Sequence, residues 1–176
     1  MHFNTKKCFS MRITHSRNPK LFNYTLDKDI LESTASHTYL GVDISNNLTW
    51  NRHTNHITSS ANRSLVFIRR NLYSCPRSVK ANAYLTLVRP LLEYSSSVWD
   101  PYTISLSNKG EQIQRRAARF VCNDYSPHSS VTEMLKDLGW DSLHSRCAST
   151  GVRVVSRLSF CVYFSPFFAS NSFYRF

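Results

Sequence analysis

The sequence predicts an α+β protein, in which a small N-terminal antiparallel β segment is followed by a mainly α-helical bundle. Three observations support this prediction. Apolar and polar residues alternate in parts of residues 1–47, whereas apolar positions recur at steps of three and four through residues 48–149. Only 4 of the 176 residues are glycine, which disfavours a turn-rich all-β fold and a glycine-loop nucleotide site.

The composition is that of a folded and strongly basic chain. It is 41% hydrophobic and 13% aromatic, enough to form a core, and 22 Lys and Arg outnumber 11 Asp and Glu. Such a charge balance indicates a polyanionic partner, most often nucleic acid, although some basic proteins bind none. The five cysteines form no C-x-x-C motif, which is typical of free thiols in a reducing, intracellular compartment. No signal peptide or membrane span is expected.

Strand signals divide the N-terminal segment into three short strands. Phe9, Met11 and Ile13 alternate with polar residues, and residues 27–29 form a predicted hairpin turn between two apolar runs. The clearest strand signal covers residues 38–44. A three-stranded antiparallel sheet of this size needs another layer over one face.

An amphipathic helix is predicted next, with Thr49 as its cap and its end near Leu72. The apolar positions of one face are Trp50, Ile57, Ala61, Leu65, Ile68 and Leu72. The opposite face carries Arg52, His56, Arg63 and Arg70. A solvated polar face is the ordinary explanation of such a pattern. However, no acidic residue occurs between Asp43 and Glu93, so we predict that this face contacts phosphates.

Residues 79–102 predict the central, buried helix of the bundle, because their apolar residues spread around nearly all faces. Pro76 suits the first turn of this helix. Pro90 lies inside the pattern and is expected to kink or end the helix. Asp100, which precedes a proline, is expected to stop it.

A second amphipathic helix is predicted over residues 107–122. Its apolar side carries Ile113, Ala117, Phe120 and Val121, and its polar side carries Gln112, Arg115, Arg116 and Arg119. We expect both amphipathic helices to pack on the central helix and to turn their arginines outward. If the two helices are neighbours, the arginines form one basic surface.

The C-terminal part begins with a short helix predicted over residues 130–138. Ser130 and Glu133 have the spacing of a capping box, and Gly139 suits the C-terminal stop. Asp141 is expected to cap a further turn. Residues 150–176 lack sustained periodicity, and residues 151–176 contain no Asp, Glu or Lys, so we predict a disordered, aromatic-rich tail there.

Several of these segments resemble one family in order and spacing. They are TYLGVDI at 38–44, RRNLYSCP at 69–76, RPLLEYSSSVWDPY at 89–102, QRRAARFV at 114–121 and SSVTEMLKDLGWDSL at 129–143. Together they resemble the C-terminal part of reverse transcriptases from non-LTR (LINE-type, jockey-like) retrotransposons. The similarity covers residues 3–147, and the tail does not share it.

The resemblance implies a fragment of an RNA-directed DNA polymerase, with the end of the palm at residues 1–47 and a thumb-like connection at 48–149. The family's two-metal chemistry uses Mg²⁺ held by palm aspartates, one from an early strand and a pair from a Phe/Tyr-x-Asp-Asp hairpin, and this sequence has no adjacent Asp pair. We therefore expect no metal or other cofactor in this chain and no activity from it alone. Lys7 matches a lysine that can assist the leaving pyrophosphate.

The same resemblance places a strand turn at residues 39–42, with the primer end beside Tyr39, Leu40 and Gly41. It implies that the helices hold an RNA/DNA template–primer duplex, with no membrane or small-molecule partner, and that the protein is nuclear. The predicted backbone-binding residues are Arg52, Arg63, Arg69, Arg70, Lys80, Arg115, Arg116 and Arg119. Two alternatives stay open, namely a host-used helical binding module and a helical scaffold without a ligand.

Other candidate sites have simpler explanations. Asp27, Asp29 and Glu32 fit a polar hairpin better than a metal site. His53 and His56 are spaced as a pair of metal ligands on a helix, but a third ligand is lacking nearby in sequence and packing of His53 is the expected role. Ser145 and His144 have no carboxylate partner at a meaningful spacing, so no hydrolase is indicated.

Overall fold

A computed structural model describes residues 4, 7–14, 16, 22–99 and 103–146 of the chain. It confirms the α+β fold class, with short β hairpins followed by five packed helices in the described residues. The predicted tail at 150–176 lies outside the described residues.

The strands form three separate pairs in place of the single three-stranded sheet that we expected. β1 (Phe9–Ser10) pairs in parallel with β4 (Glu32–Ser33), β2 (Thr25–Leu26) pairs antiparallel with β3 (Asp29–Ile30), and β5 (Ser36–Tyr39) pairs antiparallel with β6 (Val42–Ser45). Two- and four-residue strands are too short for a continuous sheet, and the β5–β6 hairpin is held by packing of β6 on the helix that follows it.

Both hairpins turn through two residues with positive φ. The first turn uses Asp27 (φ 48°) and Lys28 (φ 75°), as predicted, and the second uses Leu40 (φ 47°) and Gly41 (φ 78°). Two consecutive left-handed residues are typical of the turns that match the twist of a hairpin. The second turn divides residues 38–44, which we had predicted as one strand, because a two-residue turn leaves the apolar pattern almost unbroken.

The first helix, α1 (Asn51–Asn71), has the predicted extent. Its predicted cap is wrong, since Trp50 occupies the N-cap and makes no side-chain cap hydrogen bond. The Thr49 hydroxyl instead donates a 2.9 Å hydrogen bond to the side-chain oxygen of Asn47. The loop before α1 is therefore held by Asn47 and not by a capping bond.

The predicted central helix is divided in two. α2 (Arg77–Leu87) ends at Val88, and α3 (Arg89–Glu93) begins there with Pro90 in its first turn, where the missing N–H costs nothing. Helical structure stops at Glu93 and not at Asp100. The prediction that this segment is buried on nearly all sides is wrong, since four of its apolar residues are exposed in the described part of the chain. Its exposed apolar residues are Val79, Leu87, Tyr94 and Val98.

The two remaining helices are α4 (Ile104–Cys122) and α5 (Val131–Asp137). α5 begins as predicted, with the Ser130 hydroxyl accepting a hydrogen bond from the Glu133 N–H, and Gly139 follows it with φ 64°. A last helical turn at 143–146 is capped by Ser142 and not by Asp141. The Ser142 hydroxyl accepts a 3.1 Å hydrogen bond from the Ser145 N–H.

The core lies between α1, α2, α4 and the segment around α5. Tyr84 of α2 is fully buried and stacks on Trp140, with ring centroids 4.4 Å apart. Ala61, Leu65 and Ile68 of α1 meet the apolar face of α4 in the same core. This packing places the outer faces of α1 and α4 beside each other.

Candidate nucleic-acid interface

α1 and α4 lie side by side and run in the same direction. Lys109 Nζ donates a 2.6 Å hydrogen bond to Asn55 Oδ1, and one heptad further along both helices Arg116 Nη1 donates a 3.4 Å bond to Asn62 Oδ1. Because both partners advance by seven residues, the two helices are parallel. Their junction forms a groove whose two parts differ in chemistry.

The first part, which we call the polar groove, has a volume of about 240 Å³. α1 contributes Asn55, Thr58, Ser59 and Asn62, and α4 contributes Lys109, Gln112, Ile113 and Arg116. None of these residues is acidic. The cations are hydrogen-bonded to neutral amides, so their positive charge is held in place without being cancelled.

The second part, which we call the aromatic pocket, lies toward the C-terminal ends of the same helices. Its volume is about 370 Å³, and its lining consists of Val66, Arg69, Arg70, Tyr73, Phe120 and Tyr125. The Arg69 guanidinium lies over the Tyr125 ring, 5.7 Å from its centroid. The aromatic pocket has no acidic lining residue either.

The structure places the predicted arginines of α1 at different points of this surface. Arg63 and Arg70 are exposed, and Arg70 also lines the aromatic pocket. Arg52 is turned toward the β5–β6 hairpin, where Nη1 donates a 2.6 Å hydrogen bond to the Ser36 hydroxyl. The predicted stripe is therefore divided, with Arg70 in the groove, Arg52 at the hairpin and Arg63 exposed outside both pocket linings.

The predicted arginines of α4 also differ in their partners. Arg115 is exposed, and Arg116 lines the polar groove. Arg119 is half-buried and donates a 2.9 Å hydrogen bond to the Ser126 carbonyl, which ties the loop after α4 to the helix. Arg119 thus positions the loop that carries Tyr125.

Lys80 was expected to contact phosphates and does not lie on the basic surface. Only 5% of the residue is exposed, and its Nζ lies 5.1 Å from the Phe120 ring centroid and 5.8 Å from that of Tyr73. The amphipathic pattern of α2 was too uniform to show which face turns inward. The Lys80 ammonium packs against aromatic rings inside the bundle, so Lys80 is not part of the basic surface.

The residues predicted near a primer end occupy the tip of the β5–β6 hairpin. Tyr39 and Leu40 are exposed, and the Leu40 carbonyl accepts a 2.9 Å hydrogen bond from the Tyr94 hydroxyl. A Cβ added at Gly41 would lie 3.1 Å from the Tyr94 ring, so the close approach and the positive φ both favour glycine there. Lys7 is exposed in the N-terminal segment.

A buried polar cluster anchors this hairpin on α1. Asp43 is buried, its carboxylate accepts from the Thr38 hydroxyl and bonds His56 Nδ1 at 2.9 Å, and its N–H donates to His53 Nδ1 at 3.3 Å. Burial raises the pKa of Asp43, but the hydrogen bonds from Thr38 and His56 outweigh burial and hold that pKa below its ordinary value. The cluster fixes the hairpin tip relative to the groove.

His53 has the packing role predicted for it. Its ring stands edge-on to Trp99, with centroids 4.7 Å apart, and it has no exposed surface. Burial lowers the pKa of His53, and the Asp43 carboxylate offsets only part of that effect. Across the described ranges, no three His, Cys, Asp or Glu side chains are grouped as metal ligands. The described residues do not fit the Mg²⁺ site of the resembled family, and we derive no metal-dependent step.

Sequence reasoning missed Lys109, Asn62, Tyr73 and Tyr125 as parts of the surface. Lys109 and Arg116 are one heptad apart on α4, which is the signal that could have joined them. The tyrosines lie beyond the helix ends, where periodicity gives no information.

No protein-family model, curated protein or solved structure matches this chain. In the described part of the chain, no helix is long and apolar enough to span a bilayer. The fold and the groove define an α+β protein whose helical part carries a basic surface.

Proposed function

We propose that this chain is a nucleic-acid-binding module that holds the backbone of a template–primer duplex, as the thumb of a reverse transcriptase does. The observation that carries the proposal is the groove between α1 and α4, whose lining contains Lys109, Arg116, Arg69 and Arg70 and no Asp or Glu. The net charge of the whole chain, +11, has the same sign as the charge of the groove.

The chemistry of the groove suits phosphates better than carboxylates of a single protein partner. Arginine presents a planar fork that binds phosphate oxygens in pairs and keeps its charge at every physiological pH. Asparagine, threonine and serine side chains beside it can donate further hydrogen bonds to backbone oxygens. Contacts of this kind give affinity without base selection, which a module that grips any template–primer needs.

The sequence resemblance to non-LTR reverse transcriptases adds the identity of the partner. On this proposal the bound nucleic acid is an RNA–DNA hybrid, the β5–β6 hairpin tip faces the primer end, and the protein works in the nucleus. Catalysis belongs to palm aspartates in the family, and this sequence contains no adjacent Asp pair. The proposed role of this chain is therefore binding.

Salt titration of the full chain with fluorescently labelled RNA–DNA hybrids of unrelated sequence tests the proposal by anisotropy. If about four to six cations contact phosphates, the logarithm of the association constant falls with the logarithm of salt concentration at a slope of roughly −3 to −5. All sequences should bind alike. Affinity independent of salt, or absence of binding at low salt, contradicts the proposal and favours a scaffold without a ligand.

A further inference from the structure

The aromatic pocket is shaped differently from the polar groove beside it. Tyr73 and Tyr125 are 66% and 49% exposed, so their rings stand open to solvent, and buried Phe120 contributes to the lining beneath them. A volume of about 370 Å³ is at the small end of ligand sites in proteins. The pocket therefore accommodates a flat group of modest size.

The loop that carries Tyr125 is held in place before any ligand binds. Asn123 ends α4 in the left-handed conformation, with φ 53°. The Ser126 N–H donates a 2.9 Å hydrogen bond to Asp124 Oδ1, and the Ser126 carbonyl accepts from Arg119. The first of these bonds uses the Asp124 carboxylate as its acceptor, and together the two bonds fix the backbone on both sides of Tyr125. The ring needs little ordering on binding, which favours affinity.

Helix polarity weakens the positive charge of the aromatic pocket relative to the polar groove. α1 and α4 are parallel and both end beside the pocket, so two C-terminal ends contribute partial negative charge there. Arg69 and Arg70, in the last turn of α1, offset that charge. The two helix ends therefore cancel part of the charge of Arg69 and Arg70, and the exposed rings of Tyr73 and Tyr125 offer surfaces for a flat group, whereas the polar groove, one turn back along the helices, keeps the charges of Lys109 and Arg116.

Tyrosine rings and an arginine guanidinium are the surfaces on which unpaired bases stack. We propose that the aromatic pocket takes one unpaired nucleobase from a single-stranded extension of the bound nucleic acid, while phosphates of that strand stay in the polar groove. Asn62 and Val66 line the two parts and are about 6 Å apart along α1, so one strand reaches both. The inference rests on the proposed function, because the groove guides the strand to the pocket.

Anisotropy titrations of the full chain with three probes test this assignment. The probes are a blunt RNA–DNA hybrid, the same hybrid with a single-stranded extension of about three nucleotides, and that extension made abasic. Stacking of one base should tighten binding of the extended hybrid about fivefold or more over the blunt one. The abasic extension, which carries the same phosphates, should lose most of this gain.

Two variants locate the effect. Tyr73→Leu and Tyr125→Leu remove a ring and keep apolar volume, so each should abolish the gain from the extension, measured as the ratio of extended-hybrid to blunt-hybrid affinity within the same variant. Tyr24→Leu is the matched control, because Tyr24 is an exposed tyrosine outside the pocket lining. Thermal unfolding of each variant verifies that it is folded, and the two pocket variants each provide a separate test.

The outcomes separate the pocket from the groove. Equal affinity for the base-carrying and abasic extensions overturns the pocket assignment and leaves backbone binding standing. Tyr73-dependent binding of the extended hybrid, without binding of the blunt hybrid, supports the pocket and contradicts the duplex role. No binding of any probe overturns both. An acidic, tyrosine-rich peptide serves as a competitor of the extended hybrid. If it displaces that hybrid as effectively as an oligonucleotide with the sequence of the extension does, the assignment to a nucleobase is overturned.

Discussion

The hydroxyl group of buried Tyr84 in α2 donates a 3.2 Å hydrogen bond to Gln114 Oε1 in α4. Gln114 Nε2 then donates a 2.8 Å bond to the carbonyl of Asp141. Burial raises the pKa of Tyr84, so its hydroxyl stays protonated and remains a donor at neutral pH. This chain of two hydrogen bonds joins α2, α4 and the segment after α5 at the centre of the bundle.

Replacing Tyr84 with Phe should lower the free energy of unfolding by about 1–3 kcal/mol, because Gln114 Oε1 is left buried without its donor. Urea unfolding measures the loss. Tyr94→Phe is the matched control, since the Tyr94 hydroxyl bonds the exposed Leu40 carbonyl, where water can replace it. Equal losses of unfolding free energy in the two variants would show that the buried Tyr84–Gln114 bond stabilises the fold no more than an exposed bond does.

Glu93 joins the end of α3 to two arginines. Its Oε1 accepts bonds of 2.9 Å from Arg89 Nε and 2.6 Å from Arg146 Nε. Burial raises the pKa of Glu93, but the hydrogen bonds from Arg146 and Arg89 outweigh it, so the pKa lies below the ordinary 4.5. A carboxyl with a lowered folded-state pKa adds stability above pH 4.5, and that stability is lost as pH falls through the folded value.

Glu93→Gln should therefore cost about 1–2 kcal/mol near pH 7, and the difference from the parent should shrink progressively below pH 4.5. Urea unfolding at several pH values measures this difference. Glu32→Gln is the control, because Glu32 is exposed and its side chain makes no described ion pair. A difference that stays constant down to strongly acidic pH would contradict a role for the charged carboxylate.

His53 gives the protein a second pH dependence, in which the group with a lowered folded-state pKa is a base and not an acid. Because burial lowers its pKa in the folded state, the unfolded chain binds a proton near pH 6.5 that the folded chain does not. Stability is thus fully present above pH 6.5 and falls as pH drops toward the folded value, by at most about 1.4 kcal/mol per pH unit. His53→Gln removes the titratable imidazole. Between neutral pH and about pH 5, the slope of stability against pH should therefore be flatter in this variant than in the parent.

Urea unfolding over that range compares the slopes, which a uniform loss of stability does not alter. Asp43 and His56, the charged and titratable neighbours of His53, are retained in both proteins. His144→Gln is the control, because His144 is exposed. Parallel slopes for His53→Gln and the parent would show that His53 is protonated equally in both states.

Local patterns predicted several elements because they depend on neighbours in sequence. α1 was predicted closely from its apolar spacing, the break before Pro90 from the missing N–H, and the Ser130 cap from its distance to Glu133. The three strand pairs were not predicted, since pairing of β1 with β4 joins residues that local alternation does not relate. Local alternation did not reveal the turn at Leu40, which preserves that alternation, whereas the family resemblance placed a strand turn at residues 39–42.

The candidate site was predictable only as two lists of arginines. Their spacing placed each list on one helix face. Arg52 bonds Ser36 because the β5–β6 hairpin lies against α1, and Arg116 lines the groove because α4 lies parallel to α1, so both outcomes depend on tertiary packing. Burial of Lys80 also depends on that packing. Helical periodicity identifies a face, and only the arrangement of neighbours determines what covers it.

Polymerase activity is predicted to be absent from this chain. Two-metal phosphoryl transfer requires carboxylates that hold both ions, and the sequence has no adjacent Asp pair, so Lys7 alone cannot support the reaction. Primer extension on an RNA template with Mg²⁺ or Mn²⁺ measures this, with an intact reverse transcriptase as the positive control. Templated incorporation by the pure protein would refute the prediction.

Arg116 and Lys80 provide a matched test of the interface, since each substitution removes one positive charge. Arg116 lines the polar groove, so Arg116→Gln should weaken binding of unrelated hybrids alike and make the salt slope shallower by about 0.9. Lys80→Met keeps an apolar stem among the rings and should leave that slope unchanged, because the buried ammonium does not reach a phosphate. Anisotropy titrations across salt concentrations measure both slopes, and thermal unfolding checks the fold. Equal changes in slope would show that long-range charge, and not contact in the groove, determines binding.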